Sequence, residues 1–168
     1  MSTESSAKTI SKLAEQAVNA FAVQLQGELI LPSDAGYEET RKVYNAMIDK
    51  RPALIVRCKD ATDVVNAVNF GRNNQLTVAI RGGGHNGPGF GVCEDGLVID
   101  LSQMRSIHVD PSNHTVRVEG GCVWGDVDKA THEFGLAVPS GILSSTGVGG
   151  LTLGGGTGYL SRDRKSVV

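Results

Sequence analysis

The sequence predicts a mixed fold of helices and strands, with a parallel βαβ unit first and an antiparallel part after it. Three observations carry this reading. The apolar run Pro52-Ala-Leu-Ile-Val-Arg-Cys58, a helical pattern from Asp60 and the run Thr77-Val-Ala-Ile80 follow one another with tight connections, the order of a strand, a crossover helix and a parallel strand. Farther on, Ile107 to Asp110 and Thr115 to Glu119 flank Pro111-Ser-Asn-His114, a hairpin in both spacing and turn residues. Finally, 19 of the 22 glycines lie between Gly82 and Gly158, against an average usage of about 7%, so the second half of the chain is built around close backbone approach.

In chain order, Ala7 to Leu25 places Ile10, Leu13, Ala14, Ala17, Val18 and Phe21 at helical spacing, an amphipathic helix packed on a core. Gly27 to Ile48 is irregular, with turns at Pro32, Asp34 and Gly36 before the charged run Glu38 to Lys42; it reads as a connecting loop with a short helix. The strand Pro52 to Cys58 is followed by Asp60 as N-cap with Asp63 in the first turn, and the helix runs through Val64, Val65, Val68 and Phe70 to Asn73-Asn74. After the strand Thr77 to Ile80 comes the loop Arg81-Gly82-Gly83-Gly84-His85-Asn86, then a strand at Leu97 to Asp100. Beyond the hairpin, Trp124 to Glu133 is helical, stopped by Gly135, with Trp124, Val127 and Ala130 on its buried side.

The triple-glycine loop sits at the carboxyl end of a parallel strand, where such sheets place ligands. Consecutive glycines weaken a fold unless the backbone needs left-handed dihedrals or something must come close to it. Successive exposed N–H groups form a concavity for an anion such as phosphate, with Arg81 adding charge at its edge and His85 at its exit. For this stretch alone, an ordinary glycine-rich surface turn is the alternative. The second dense stretch, Pro139 to Tyr159, adds the hydroxyls of Ser144, Ser145 and Thr146. Two such loops suit an extended ligand, one holding a pyrophosphate and the other lying along flat rings, as in a dinucleotide. Glycines that only let elements cross closely are the competing reading of the second loop.

Several classes are set aside. Neither loop has the Lys-Ser/Thr pair of a P-loop. Asp100 lies near the Rossmann distance from Gly82, but His-Asn-Gly-Pro-Gly is a poor helix start. A net charge of −2 argues against general nucleic-acid binding. Cys58, Cys93 and Cys122 are widely spaced, and His108, His114 and His132 lack ligand-like spacing, so no metal site is expected. No apolar run reaches signal-peptide or membrane length, which predicts a cytoplasmic protein with no membrane partner.

The motifs RPALIVRC, RGGGHN, LVIDLS, GGCVWGDVD and VPSGILSSTGVGGLTLGGGTGYLSR, in this order over Arg51 to Arg162, resemble the FAD-binding domain of the berberine bridge enzyme-like flavin oxidases, within the vanillyl-alcohol oxidase superfamily. The resemblance implies an α+β, PCMH-type FAD-binding domain: a small βαβ-containing N-terminal subdomain, then a mainly antiparallel second subdomain, here incomplete, with FAD between them. The implied division is an N-terminal helix and connecting segment over 1–50, the FAD-binding part over 51–162 and a non-native tail over 163–168. That tail, Asp-Arg-Lys-Ser-Val-Val, departs from the family's continuation and looks like a translated sequencing adapter.

The same resemblance implies roles. His85 would be bonded covalently to the methyl carbon on the flavin's benzenoid ring. Gly82, Gly83, Gly84 and Asn86 would line the diphosphate, Gly141, Thr146, Gly147, Gly149 and Gly150 would border the flavin or the rest of the dinucleotide, and Arg81 and Ser145 would also belong to the cofactor-binding set. Many family members have a second link through a cysteine, and here that position is Leu143, which implies a single tether. The implied activity is oxidation of a small-molecule substrate by hydride transfer to histidyl-linked FAD. Substrate pocket and general base would lie in a domain this chain lacks, so no catalytic acid or base is assigned. The alternatives are a truncated, inert flavin- or nucleotide-binding fragment, a fragment that does not fold, and a noncovalent FAD reductase using a nicotinamide donor. Oligomeric state is left open.

Overall fold

The computed structural model describes residues 15–164. The predicted positions Ile10, Leu13 and Ala14 of the first helix, and 165–168 of the predicted tail, lie outside the described residues. Helix α1 (Glu15–Ala22) buries Val18 and Phe21. It is followed by β1 (Glu28–Ile30), a short α2 (Tyr37–Thr40) and β2 (Leu54–Arg57). Next come α3 (Ala61–Asn73), β3 (Val78–Arg81) and β4 (Leu97–Asp100). The second part holds β5 (Ile107–Asp110), β6 (Thr115–Val118), α4 (Trp124–His132), α5 (Val148–Gly154) and α6 (Ser161–Arg164).

The main sheet has the order β1-β2-β4-β3. Strands β2 and β3 are parallel, as the βαβ pattern predicts, but each pairs with β4, which lies between them. The reason is burial: Leu97, Val98 and Ile99 are all fully buried, and a strand apolar on both faces belongs at the centre of a covered sheet. On one face Leu54, Val56, Leu97 and Ile99 pack against α1 and α3 through Val18, Phe21, Ala67 and Phe70, with Phe21 and Phe70 stacked at 4.1 Å. On the other face Ile55, Ala79 and Val98 pack against Ile30, Tyr37 and Val92. Strand β1, inside the stretch read as irregular, adds an antiparallel edge; three residues are too few to show an alternation pattern.

Helix α3 begins as predicted, with the Asp60 side chain accepting from the Asp63 N–H at 3.0 Å. Asp63 does more than sit in the first turn. It is fully buried, and its carboxylate accepts the backbone N–H groups of Gln26, Gly27 and Lys59 at 2.8–2.9 Å, tying the start of β1 to the β2–α3 junction.

The hairpin pairs Ile107 with Val118 and Asp110 with Thr115. Side-chain bonds from Ser112 and Asn113 hold the Asp110 carboxyl down to about 2. Helix α4 buries Trp124 and Val127 as predicted, but Thr131 replaces Ala130 as its third buried residue. The Thr131 hydroxyl makes this possible by donating to the Val127 carbonyl at 3.0 Å, which satisfies a polar group inside. No helix among the described residues is long and apolar enough to cross a membrane.

Candidate functional site

The carboxyl ends of the three parallel strands carry the first layer of the site. Each strand is three apolar residues followed by a charge: Leu-Ile-Val-Arg57, Val-Ala-Ile-Arg81 and Leu-Val-Ile-Asp100. The register places both Arg57 and Arg81 opposite Asp100. Arg81 Nη2 donates to Asp100 Oδ2 at 2.8 Å, Arg57 Nε lies 3.8 Å from the same oxygen, and the Ser102 N–H donates to Oδ1 at 3.0 Å. Arg81 and Asp100 are buried. Arg81, expected to add charge at the edge of an anion nest, lines both clefts, while its guanidinium donates inward to Asp100 and to the Lys42 carbonyl, 3.3 Å away. Asp100→Asn keeps the shape and removes the charge, and is expected to lower stability by about 2–3 kcal/mol, measured by denaturant unfolding; an unchanged midpoint would rule out the pair as the loop's anchor.

On this base stands the Gly82–Gly84 loop. Gly84 takes φ +69°, a left-handed value that glycine adopts without strain. Gly83 and Gly147 press backbone to backbone: a Cβ built on Gly147 would overlap the Gly83 nitrogen and stand 2.9 Å from its Cα. The two glycine stretches therefore meet at this crossing, and close approach, the competing reading of the second stretch, describes Gly147. Gly147→Ala is expected to cost about 1–3 kcal/mol by overpacking, read as a fall in melting temperature, whereas Gly150→Ala, inside α5 with open space around the added atom, should raise the melting temperature slightly, since alanine favours a helix over glycine.

Two clefts share the loop as part of their walls. One, of about 450 Å³, is lined by Gly82 to Asn86 together with Thr146, Gly147 and Gly150, and has apolar walls at Ile80, Phe90 and Leu151. The other, of about 360 Å³, brings Thr40, Lys42, Arg57, Ser102 and Ser145 to the same loop. His85 is half-buried and borders both. Its ring stacks on Tyr44, centroids 4.0 Å apart and planes within 18°. The Asn86 side chain accepts the Phe90 N–H at 2.9 Å, shaping the turn that follows. Gly141 lies outside both clefts, against Leu151 and Trp124, and Gly149 faces Gly120.

Sequence reasoning missed Tyr44, Lys42, Ile80, Phe90 and the α5 helix inside the second glycine stretch. The Arg/Asp/Arg row did leave a signal, a single charge ending each apolar strand. Tyr44 left none, because its partner is 41 positions away in a different loop.

The three cysteines are buried and unpaired. Burial, followed by the nearby Asp63 and Asp100 carboxylates, pushes the Cys58 thiol up to about 12. Burial also raises Cys93 and Cys122. A raised thiol is a poor nucleophile.

Comparison with known proteins agrees with this architecture. A family model described as FAD binding domain matches residues 52–168. An FAD-linked oxidoreductase of Dictyostelium discoideum is 46% identical over 151 residues, 89% of this chain and 33% of the relative. The (R)-6-hydroxynicotine oxidase of Paenarthrobacter nicotinovorans is 38% identical over 84% of this chain and 31% of its own length. Among solved structures, 6-hydroxy-D-nicotine oxidase from Arthrobacter nicotinovorans superposes with a TM-score of 0.84 at 37% identity, over 85% of this chain and 32% of that one. A Physcomitrella patens BBE-like protein gives 0.83 at 25% identity, over 89% and 33%. The chain spans about a third of the length of the relatives it matches.

Proposed function

The chain belongs to the FAD-binding domain family, and from that premise we propose that its two glycine-lined clefts hold FAD through a single covalent tether at His85, as the cofactor domain of an oxidoreductase acting on a small molecule. The observation that carries the proposal is the position of His85: it is half-buried and borders both clefts, and the crossing glycines Gly83 and Gly147 line the larger cleft beside it.

The residues fit such a ligand. Ile80 and Phe90 are more than half exposed on the larger cleft, and exposed apolar groups beside a polar loop mark a binding surface. The smaller cleft offers Lys42, Arg57 and the hydroxyls of Ser102 and Ser145, groups suited to phosphate and sugar oxygens. Bound flavin supplies a two-electron acceptor for hydride. His85 holds it in place, the glycine loop and Thr146 border it, and the buried Arg81–Asp100 pair keeps the loop on the strand ends. Leu143, half exposed, has no atom that can form a second link.

The role proposed for these residues is to hold the cofactor. A reducing, cytoplasmic setting completes the proposal, supported by three unpaired cysteines.

The test is the absorbance spectrum of the chain incubated with FAD, before and after acid precipitation. Yellow colour that stays with the pellet is expected. Flavin released wholly to the supernatant would overturn the tether and favour a noncovalent relative, and a chain that never takes up colour would overturn FAD binding by these residues alone.

A further inference from the structure

We propose that Tyr44 is a positioning residue for His85, holding the imidazole plane and edge in the orientation that bond formation to the flavin requires. The inference rests on the reading of His85 as the tether and adds to it a residue outside the glycine motif.

The contact is built into the backbone. The segment from Lys42 to Asn45 grips the loop on both sides of His85: the Tyr44 N–H donates to the Gly84 carbonyl at 3.1 Å, and Asn45 Nδ2 donates to the Gly87 carbonyl at 2.9 Å. The Asn45 side-chain oxygen accepts the Met47 N–H at 3.1 Å, which fixes the amide that reaches the loop. Behind them, Arg81 Nη1 donates to the Lys42 carbonyl, so the pair with Asp100 extends to this segment. The result is a face-to-face stack between two rings on different loops.

Tyr44 is 65% exposed, so burial of the ring does not account for its place. Among the described residues its phenol oxygen has no hydrogen-bond partner, and the ring's partner is the imidazole. Without the stack, a histidine ring on a glycine loop turns about χ1 and χ2, and only a fraction of its orientations present a nitrogen to the cleft. Holding a nucleophile in one orientation raises the rate of bond formation without adding to ligand affinity.

The bond itself balances as follows. A ring nitrogen of His85 gives up its proton and joins the methyl carbon, and that carbon loses one hydrogen as a proton. Two electrons pass to the flavin and on to dioxygen, which leaves as hydrogen peroxide with the two protons.

The experiment uses the full chain without flavin, then with FAD, in wild type, Tyr44→Ala, Tyr44→Phe and His85→Ala. In flavin-free protein the His85 ring protons should be shifted upfield by the neighbouring ring current in wild type and Tyr44→Phe, and should return to ordinary positions in Tyr44→Ala. After FAD is added, acid-stable flavin should accumulate about three- to tenfold more slowly in Tyr44→Ala; because Tyr44 also lines the smaller cleft, the dissociation constant for noncovalent FAD is expected to change too, but by a smaller factor than the tethering rate. Tyr44→Phe should match wild type.

A Tyr44→Ala chain that tethers flavin at the wild-type rate would overturn the proposal, as would an unshifted His85 ring in wild type. A fall in noncovalent affinity equal to the fall in tethering rate would also overturn it, by making Tyr44 a binding residue. Acid-stable flavin in His85→Ala would instead remove the tether reading itself.

Discussion

His85→Ala is expected to abolish acid-stable flavin while leaving the fold intact. Alanine offers no nucleophile, and no other side chain can take over. Leu143 is an alkyl group, and the three thiols are buried and held above their usual range, so thiolate is scarce and shielded at neutral pH. The fold should be spared because His85 lies at the cleft rim, in contact with Tyr44, and loss of an aromatic stack costs about 0.5–1.5 kcal/mol. The pellet should therefore be colourless while the melting temperature moves by only a few degrees. Flavin retained in the mutant pellet would place the link elsewhere, and peptide mapping of the yellow fragment would show where.

Asp63→Ala is expected to be the most destabilising single change in the sheet-bearing half, by about 3–5 kcal/mol. Three backbone N–H groups, of Gln26, Gly27 and Lys59, end on that carboxylate, and each donor left unmade in a partly buried setting costs about 1–2 kcal/mol. The same change removes a negative charge from the first turn of α3, where the helix field favours one. Guanidinium unfolding should show a lower midpoint. Hydrogen exchange should show Leu29 and Ile30 of β1 opening first, since the lost bonds tie that strand to the β2–α3 junction. A shift under about 1 kcal/mol would mean that water replaces the carboxylate at no cost and that β1 is held by its ladder with β2 alone.

The two variants separate the layers of the molecule. Asp63 ties parts of the sheet together and lies outside the residues lining either cleft; His85 borders both clefts and lies outside the sheet. Asp100 joins the two, because the carboxylate ending the central strand also anchors the arginine from which the glycine loop starts.

Local patterns made much of this legible. The hairpin over Pro111 to His114, the Asp60 cap, the end of α3 near Asn73 and the glycine loop after β3 each depend on a few adjacent residues with restricted dihedrals or a fixed period, and those constraints are written in order along the chain. The order of motifs resembling the flavin oxidases likewise pointed to FAD binding, in agreement with the family match. Gly83 and Gly147 were recognisable as backbone needing room, but nothing in either stretch said that each is the other's neighbour.

What the sequence determined by itself was therefore the set of elements from β2 to α4, the position of the glycine-rich loops and the family. What only the tertiary structure decided was the placing of β4 between β2 and β3, the inward turn of Arg81 onto Asp100, the burial of Asp63 beneath three backbone donors, and the stack of Tyr44 on His85. Each of these joins residues from separate elements through register or side-chain packing, and such long-range contacts leave no period, cap or turn signal in the residues that make them.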